Sequence, residues 1–269
     1  NISGIHYSTP ISSAQVKSCI ILAGLGANSE TQVHEKIKSR DHTELMLKEL
    51  GAEIKSEPLI TIQPLKKPLD PFEITVPGDP SSAAFFASAA AMIPNSNLII
   101  KDVLANTTRI GFYSVLEKMG AGIEWNNMRK NGSEWIGDVH INSQQLNGVH
   151  IMEDMIPSVI DEIPIIAVMA TQADSPTVIE GAAELRVKES DRIMAICQNL
   201  RSMGAEIIEK KDGFIINPDT QLHHANIQTF GDHRIAMAFT IAGLLTTKKN
   251  TLDDEDCINI SFPEFSEIL

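Results

Sequence analysis

Aromatic side chains make up 5% of the 269 residues, so Ile, Leu, Ala, Val and Met must fill whatever core the chain builds. Cysteine is scarcer still. Cys19, Cys197 and Cys257 share no close spacing, which excludes a disulfide framework or a zinc pattern and makes a reducing cytoplasm the default compartment. The longest apolar runs, Cys19 to Ala27 and Ala83 to Ile93, fall far short of the roughly 18 residues a membrane span requires. No secretory leader is visible. Positive charge is in deficit, with 22 Lys and Arg against 35 Asp and Glu and a formal net charge of −13. A nucleic acid or an anionic membrane would need a basic surface, so neither is expected as a partner. What remains is a globular balance, 43% hydrophobic and 21% charged, in a chain long enough for one or two domains. It opens at Asn1 close to a helix-like stretch and reads as a piece of something longer.

Internal repetition is the strongest pattern. A helix-like stretch ending in Gly-Ala and followed by a strand occurs three times, at Glu44 to Ile54, Val115 to Ile123 and Leu200 to Ile208. Gly51, Gly120 and Gly204 each suit the left-handed position that ends a helix. Before each copy, and once more near the end, a polar cluster opens an apolar helix. The openings are Ser12-Ser13-Ala14-Gln15, Asp79-Pro80-Ser81-Ser82, Asp161-Glu162-Ile163-Pro164 and Gly231-Asp232-His233-Arg234. The helices that follow, Val16 to Leu25, Ala83 to Met92, Ile165 to Ala170 and Ile235 to Leu245, are apolar nearly all round and are expected inside a domain. Three to four units of buried helix, strand, outer helix, Gly-Ala turn and strands predict an inverted α/β fold, with helices inside and sheets around them. The Pro/Lys-rich run Pro58 to Pro71, a strand-like Glu73-Ile74-Thr75-Val76 and Pro77-Gly78-Asp79-Pro80 place a domain boundary near residue 77.

Glu184-Leu185-Arg186-Val187-Lys188-Glu189-Ser190-Asp191-Arg192 is the most charged segment. A strand Leu185 to Val187 and a helix starting at Lys188 or Glu189 would set Glu189 and Arg192 on one face, an acid between cations. A solvated helix start explains the same residues. Ser39-Arg40-Asp41-His42-Thr43-Glu44 fits a capping box of Asp41 and Glu44, with Arg40 beside a helix N-terminus. A cation recurs at this place in three units, as Arg40, as Arg109, and as Lys188 with Arg192. Ser13 and its neighbours open a helix whose free N–H groups suit an anion. Arg234, at the start of an apolar helix, must face a cleft or an acid. Asp161 and Glu162 fit capping acids or a catalytic base. The eight histidines show no ligand spacing, so no metal is assigned, and the three cysteines are expected to be packing residues.

Seven segments together resemble the 5-enolpyruvylshikimate-3-phosphate (EPSP) synthase family of enolpyruvyl transferases. They are Ser13-Ala14-Gln15-Val16-Lys17-Ser18, Ser39 to Glu44, Pro77 to Ser82, Ile160-Asp161-Glu162, Leu185 to Arg192, Asp232 to Met237 and Ser261-Phe262-Pro263-Glu264-Phe265, in order along the whole chain. The resemblance implies two similar domains of three inverted α/β units each, closing around substrates. Residues 1–77 would be the last unit of the upper domain and residues 78–269 most of the lower one. It further implies transfer of the enolpyruvyl group of phosphoenolpyruvate to the 5-hydroxyl of shikimate 3-phosphate, no metal or organic cofactor, and a monomeric full-length enzyme.

By motif position, the resemblance assigns shikimate 3-phosphate to Ser13, Ala14, Gln15, Arg40, Asp161 and Lys188, with Ser39 adjacent. It assigns phosphoenolpyruvate to Gln15, Arg192 and Arg234, and proton transfers to Asp161, Glu189 and Lys188. Two departures matter. The Ser39 to Glu44 and Pro77 to Ser82 forms are similar to the branch often tolerant of glyphosate, and Ile260 stands where other members carry a phosphoenolpyruvate-binding Lys. The family's early Lys-Ser and Arg contacts and its Gly-rich loop have no match here, so the chain alone is expected to be nearly inactive and its missing N-terminal portion is a candidate partner. The alternatives are UDP-N-acetylglucosamine enolpyruvyl transferase, whose Cys- or Asp-bearing loop is not seen, and a non-catalytic fragment keeping a phosphate-binding half-site.

Overall fold

Three and a half copies of one folding unit follow each other along the chain, whose computed structural model describes residues 2–218 and 221–269. The first unit holds β1 (His6–Ser8), α1 (Ala14–Leu25), β2 (Thr31–His34), α2 (His42–Glu49), β3 (Ile54–Lys55) and β4 (Ile60–Ile62). The second holds α3 (Pro80–Met92), β5 (Asn97–Leu104), α4 (Gly111–Lys118), β6 (Gly122–Asn131) and β7 (Glu134–Asn142). The third runs β8 (His150–Ile151), α5 (Ile156–Val159), α6 (Ile163–Ala170), β9 (Thr177–Ile179), a 3-10 turn (Ala183–Val187), α7 (Arg192–Ser202), β10 (Ile207–Lys210) and β11 (Gly213–Ile216). A half unit closes the chain with β12 (Asn226–Ile227), α8 (His233–Gly243) and β13 (Thr251–Leu252), followed by a second 3-10 turn (Asp256–Ile260) and α9 (Phe265–Ile268).

The first and third units have the same topology. Their sheets run β1-β2-β4-β3 and β8-β9-β11-β10, with the first pair parallel and the others antiparallel. The second unit keeps the antiparallel part, β5-β7-β6, and reduces the opening strand to one parallel bridge, Gly78 to Val103. The Gly-Ala signature has a definite mechanical cause. Gly51, Gly120 and Gly204 have φ of +90°, +90° and +93°, which an L side chain rarely adopts. The next N–H then reaches back across the helix end, from Ala52 to Leu47 O, Ala121 to Leu116 O and Ala205 to Leu200 O, at 2.9, 3.2 and 2.9 Å. This is the Schellman closure, and it turns each outer helix into its strand.

Burial follows the absence of polar faces. All eight residues of α6 are buried, as are ten in α3 and nine in α8, and these three helices pack on one another. Each large apolar side chain so buried contributes roughly 1.5–3 kcal/mol. Their core extends from Ala83 to Phe265. A smaller core of Ile21, Leu25, Val33, Leu47, Ala52, Ile54, Ile60 and Ile62 belongs to the first unit and shares no residue with the larger one. Residues 71–76 between them are exposed. Among the described residues no helix is long and apolar enough to cross a membrane.

Several sequence expectations need correction. Glu73 to Val76 forms no strand, because among the described residues no strand pairs with it and an Asn131 side chain instead donates to Thr75 O at 2.7 Å. Helix α1 is buried on one side only: Ile21 is inaccessible while Val16 and Leu22 are 39% and 57% exposed. Cys19 lies on that open side and is exposed, so it is no packing residue, whereas Cys197 and Cys257 are buried. Leu185 to Val187 is a 3-10 turn rather than a strand, and α7 starts at Arg192, not Lys188, because Asp191 supplies the cap by accepting from Met194 N at 2.9 Å. The capping box of Asp41 and Glu44 is not formed. The Asp41 side chain turns instead to Lys38 and Asn106.

Candidate active site

Every first helix of a unit begins with unpaired N–H groups and the positive end of its dipole. Three of these beginnings, those of α1, α6 and α8, front a common cavity of about 430 Å³ between the first unit and the rest of the chain. From the first unit it is lined by Ser12, Ser13, Ala14, Gln15, Ser39 and Arg40, and from the other side by Asp161, Lys188, Glu189 and Arg234 with Pro157, Ile160 and Glu184. At α1, Ser13 caps the helix by accepting from Val16 N at 3.4 Å.

Asp161 is the electrostatic centre. Arg40 reaches across from the first unit to its Oδ2, Arg234 Nη2 stands 3.5 Å from the same oxygen, and Arg192 Nη1 lies 3.7 Å from Oδ1. Burial pushes the Asp161 carboxyl up, but Arg234, Arg40 and Arg192 outweigh it and hold the group well below the usual carboxylate range. Arg234 also donates to Asp161 O at 3.3 Å, so it faces both the cleft and an acid. The neighbouring Glu162 behaves oppositely. Its buried carboxyl is pushed up by desolvation and by the Asp161 charge, against the opposing pull of Ser81, Arg234 and Arg109, and its Oε1 has no hydrogen-bond partner.

The sequence-predicted residues do not all stand at the cavity wall. Ser13, Ala14, Gln15, Arg40, Asp161, Lys188, Glu189 and Arg234 do. Arg192 lies behind it, fully buried, with Nε donating to Asp232 Oδ2 at 2.8 Å and Nη2 to Glu189 Oε2 at 2.6 Å, while its buried Nη1 makes no hydrogen bond. Lys188 pairs with Glu184 at 2.7 Å. Arg109, in the second unit, is occupied by Asp79 and Ser81 at 2.6 and 2.9 Å and is a structural strut. Ile260 is exposed at the end of its 3-10 turn and does not line the cavity.

Sequence reasoning assigned no site role to Pro157, Ile160 or Glu184. The i,i+4 spacing of Glu184 and Lys188 was the available signal for the last. It also passed over the seam beside Arg40. There Asn106 donates to Asp41 Oδ1 at 2.8 Å and Glu134 Oε1 at 2.6 Å, and His42 Nδ1 lies 2.8 Å from Glu134 Oε1. Among the described residues no group of three His, Cys, Asp or Glu side chains is arranged to hold a metal. Burial, then the Glu209 charge, push the Cys197 thiol up to about 12, so it is no nucleophile near neutral pH.

Comparison with known proteins identifies the family and the fold. A sequence profile described as EPSP synthase (3-phosphoshikimate 1-carboxyvinyltransferase) matches residues 1–269. The 3-phosphoshikimate 1-carboxyvinyltransferases of Petrotoga mobilis and Thermodesulfovibrio yellowstonii are 49% and 47% identical over the whole of this chain. The chain spans 62% and 63% of their lengths. A solved EPSP synthase from Acinetobacter baumannii superposes with a TM-score of 0.91 at 41% identity, covering 99% of this chain and 62% of that one. The enolpyruvyl transferase NikO from Streptomyces tendae shares the fold at a TM-score of 0.72 and 16% identity, over 92% of this chain and 56% of that one. The inverted α/β repeat, the cation-lined cavity and these likenesses lead to one conclusion: the chain belongs to the EPSP synthase family.

Proposed function

We propose that this chain is the larger part of an enzyme that transfers the enolpyruvyl group of phosphoenolpyruvate to the 5-hydroxyl of shikimate 3-phosphate and releases phosphate. The observation that carries the reading is the cavity itself, where Arg40 and Arg234 converge on Asp161 from the two sides of a cleft that Lys188 also lines. Two phosphorylated small molecules need such a lining, and an acidic protein can supply it locally. Residues 1–77 act as the last unit of the upper lobe and 78–269 as most of the lower, and the full-length enzyme works in the cytoplasm as a monomer.

In the reaction the hydroxyl oxygen bonds to C2 of phosphoenolpyruvate while C3 takes a proton. The resulting tetrahedral adduct then expels phosphate from C2 as C3 gives a proton back, which restores the double bond. Ser13, Ala14, Gln15 and Arg40 hold shikimate 3-phosphate, with Lys188 near the target hydroxyl. Arg234, Gln15 and Arg192, whose buried Nη1 has no hydrogen-bond partner, hold phosphoenolpyruvate. Asp161 accepts the hydroxyl proton and Glu189 serves C3. A carboxylate pressed as low as Asp161 takes protons poorly. Substrate anions that draw Arg40 and Arg234 away raise its basicity, so binding itself prepares the base.

The cavity offers few cations for two multiply charged ligands, and α1 presents Val16 and Leu22 to solvent. Both support the reading that turnover needs the further polypeptide that longer relatives carry. Calorimetry tests the binding half: shikimate 3-phosphate should give heat with the chain, and Arg40→Ala should weaken it at least about tenfold, as loss of a charged hydrogen bond implies. Absence of heat, or binding indifferent to Arg40→Ala, rejects the reading. Phosphate release from both substrates by the isolated chain should stay near background. Robust turnover would reject the claim that it is incomplete.

A further inference from the structure

Lys17 is an unusual residue for the first turn of an apolar helix. Its side chain is fully buried, two residues beyond Gln15 on α1, and it does not line the cavity. Its Nζ stands 2.9 Å from Glu35 Oε2, 2.9 Å from Glu44 Oε1 and 3.3 Å from Ser39 O. Ser39 Oγ donates to Glu35 in turn. The Glu35 and Glu44 side chains are 5% and 2% exposed, and Glu44 Oε2 has no hydrogen-bond partner. Such an arrangement is costly to desolvate and is weak evidence of stability for its own sake. It does, however, fix one thing. Ser39 is the residue before Arg40, and both its carbonyl and its hydroxyl are tied to this cluster.

Two further bonds run in the same direction. Ser12 Oγ donates to Ile37 O at 2.6 Å, and the Ser18 and Thr43 hydroxyls lie 2.6 Å apart. The start of α1, from Ser12 just before it to Ser18, is thus stapled to residues 35–44. The Arg40 side chain itself is 32% exposed and spans the cleft to Asp161.

We infer that Lys17 is a positioning residue: through Glu35 and the Ser39 carbonyl it sets the Arg40 guanidinium at a fixed place relative to the N-terminus of α1, so that both grip one phosphate. This rests on the assignment of shikimate 3-phosphate to Arg40. Position can be separated from charge, because Lys17→Met combined with Glu44→Gln removes one positive and one negative group and leaves the cluster's net charge as it was. Glu44→Gln alone makes the cluster less negative but keeps Lys17 on Glu35 and Ser39.

Shikimate 3-phosphate affinity is read by calorimetry, folding by thermal unfolding, and the Arg40 Nε–Hε resonance by proton–nitrogen NMR of the ligand-free chain. A positioning role predicts that the double variant binds at least tenfold more weakly and that its Arg40 resonance shifts and broadens. Glu44→Gln should keep wild-type affinity within threefold. A folded double variant with wild-type affinity overturns the inference, as does an unmoved Arg40 resonance. If the wild type itself gives no heat, the ligand assignment fails, while the resonance still decides the positioning claim. Should the double variant not fold, Glu35→Gln replaces it; it loosens the hold on Ser39 without stranding a charge. A threefold loss with a shifted resonance supports the inference, and no change in either overturns it.

Discussion

The first and third units are the same device in two environments. Both share one sheet order, with an extra short helix, α5, in the third, and each carries a cavity-lining cation between its second strand and the helix that follows, Arg40 before α2 and Lys188 before α7. Yet α6 is buried on every side, while α1 keeps one face open and buries a lysine in its first turn. Topology is therefore set locally, by caps, glycine turns and hairpins, whereas burial is set by neighbours. Helix α6 of the third unit packs against α3 and α8; α1 of the first unit has no counterpart to them among the described residues.

Replacing the buried cation of the third unit should have the largest effect. Arg192→Met leaves Asp232, itself fully buried, without its charge partner, and should cost about 3–5 kcal/mol in urea unfolding. A loss below about 1 kcal/mol would mean that this arginine is not the structural centre of its unit. Next, matched truncations in the two helices should diverge. Ile166→Ala in α6 should cost about 2–5 kcal/mol, and Leu22→Ala in α1 less than about 0.5 kcal/mol. Equal losses would show that α1 is covered in solution.

A third test should show agreement instead. Gly51→Ala and Gly204→Ala force a side chain into the same left-handed conformation and should each cost about 1–2 kcal/mol, measured by chemical denaturation. Unequal costs would make the turn dependent on its surroundings. The smallest effect is one of sign. Glu162 is an acid whose folded pKa is raised, so the stability it allows is fully present below its ordinary value of 4.5 and is lost as pH rises toward the folded value. Glu162→Gln should remove that loss, giving a melting temperature above wild type at pH 8 and a smaller difference at pH 4. The opposite ordering would contradict the burial of an unpaired carboxyl there.

Much of this architecture is legible in the chain, and the reason is geometric. Gly51, Gly120 and Gly204 mark helix ends because few other residues can adopt that backbone, and Ser13, Asp79 and Asp232 mark helix starts because their side chains satisfy free N–H groups. The motifs also point to most of the cavity wall. What stays hidden depends on contacts distant in sequence. Asp161 meets Arg40 across 121 positions, and Asn106 meets Asp41 across 65. Arg192 and Lys188 look alike as cations at a helix start, and only packing separates the buried one from the one at the wall. Likewise Asp41 could cap α2, but tertiary partners draw its side chain elsewhere.

The exposure of Cys19 has a practical consequence. With Cys197 and Cys257 buried, a maleimide dye should attach at one position among the described residues, on the helix whose opening turn borders the cleft. Its emission would then report changes in the surroundings of α1 without any thiol having to be removed.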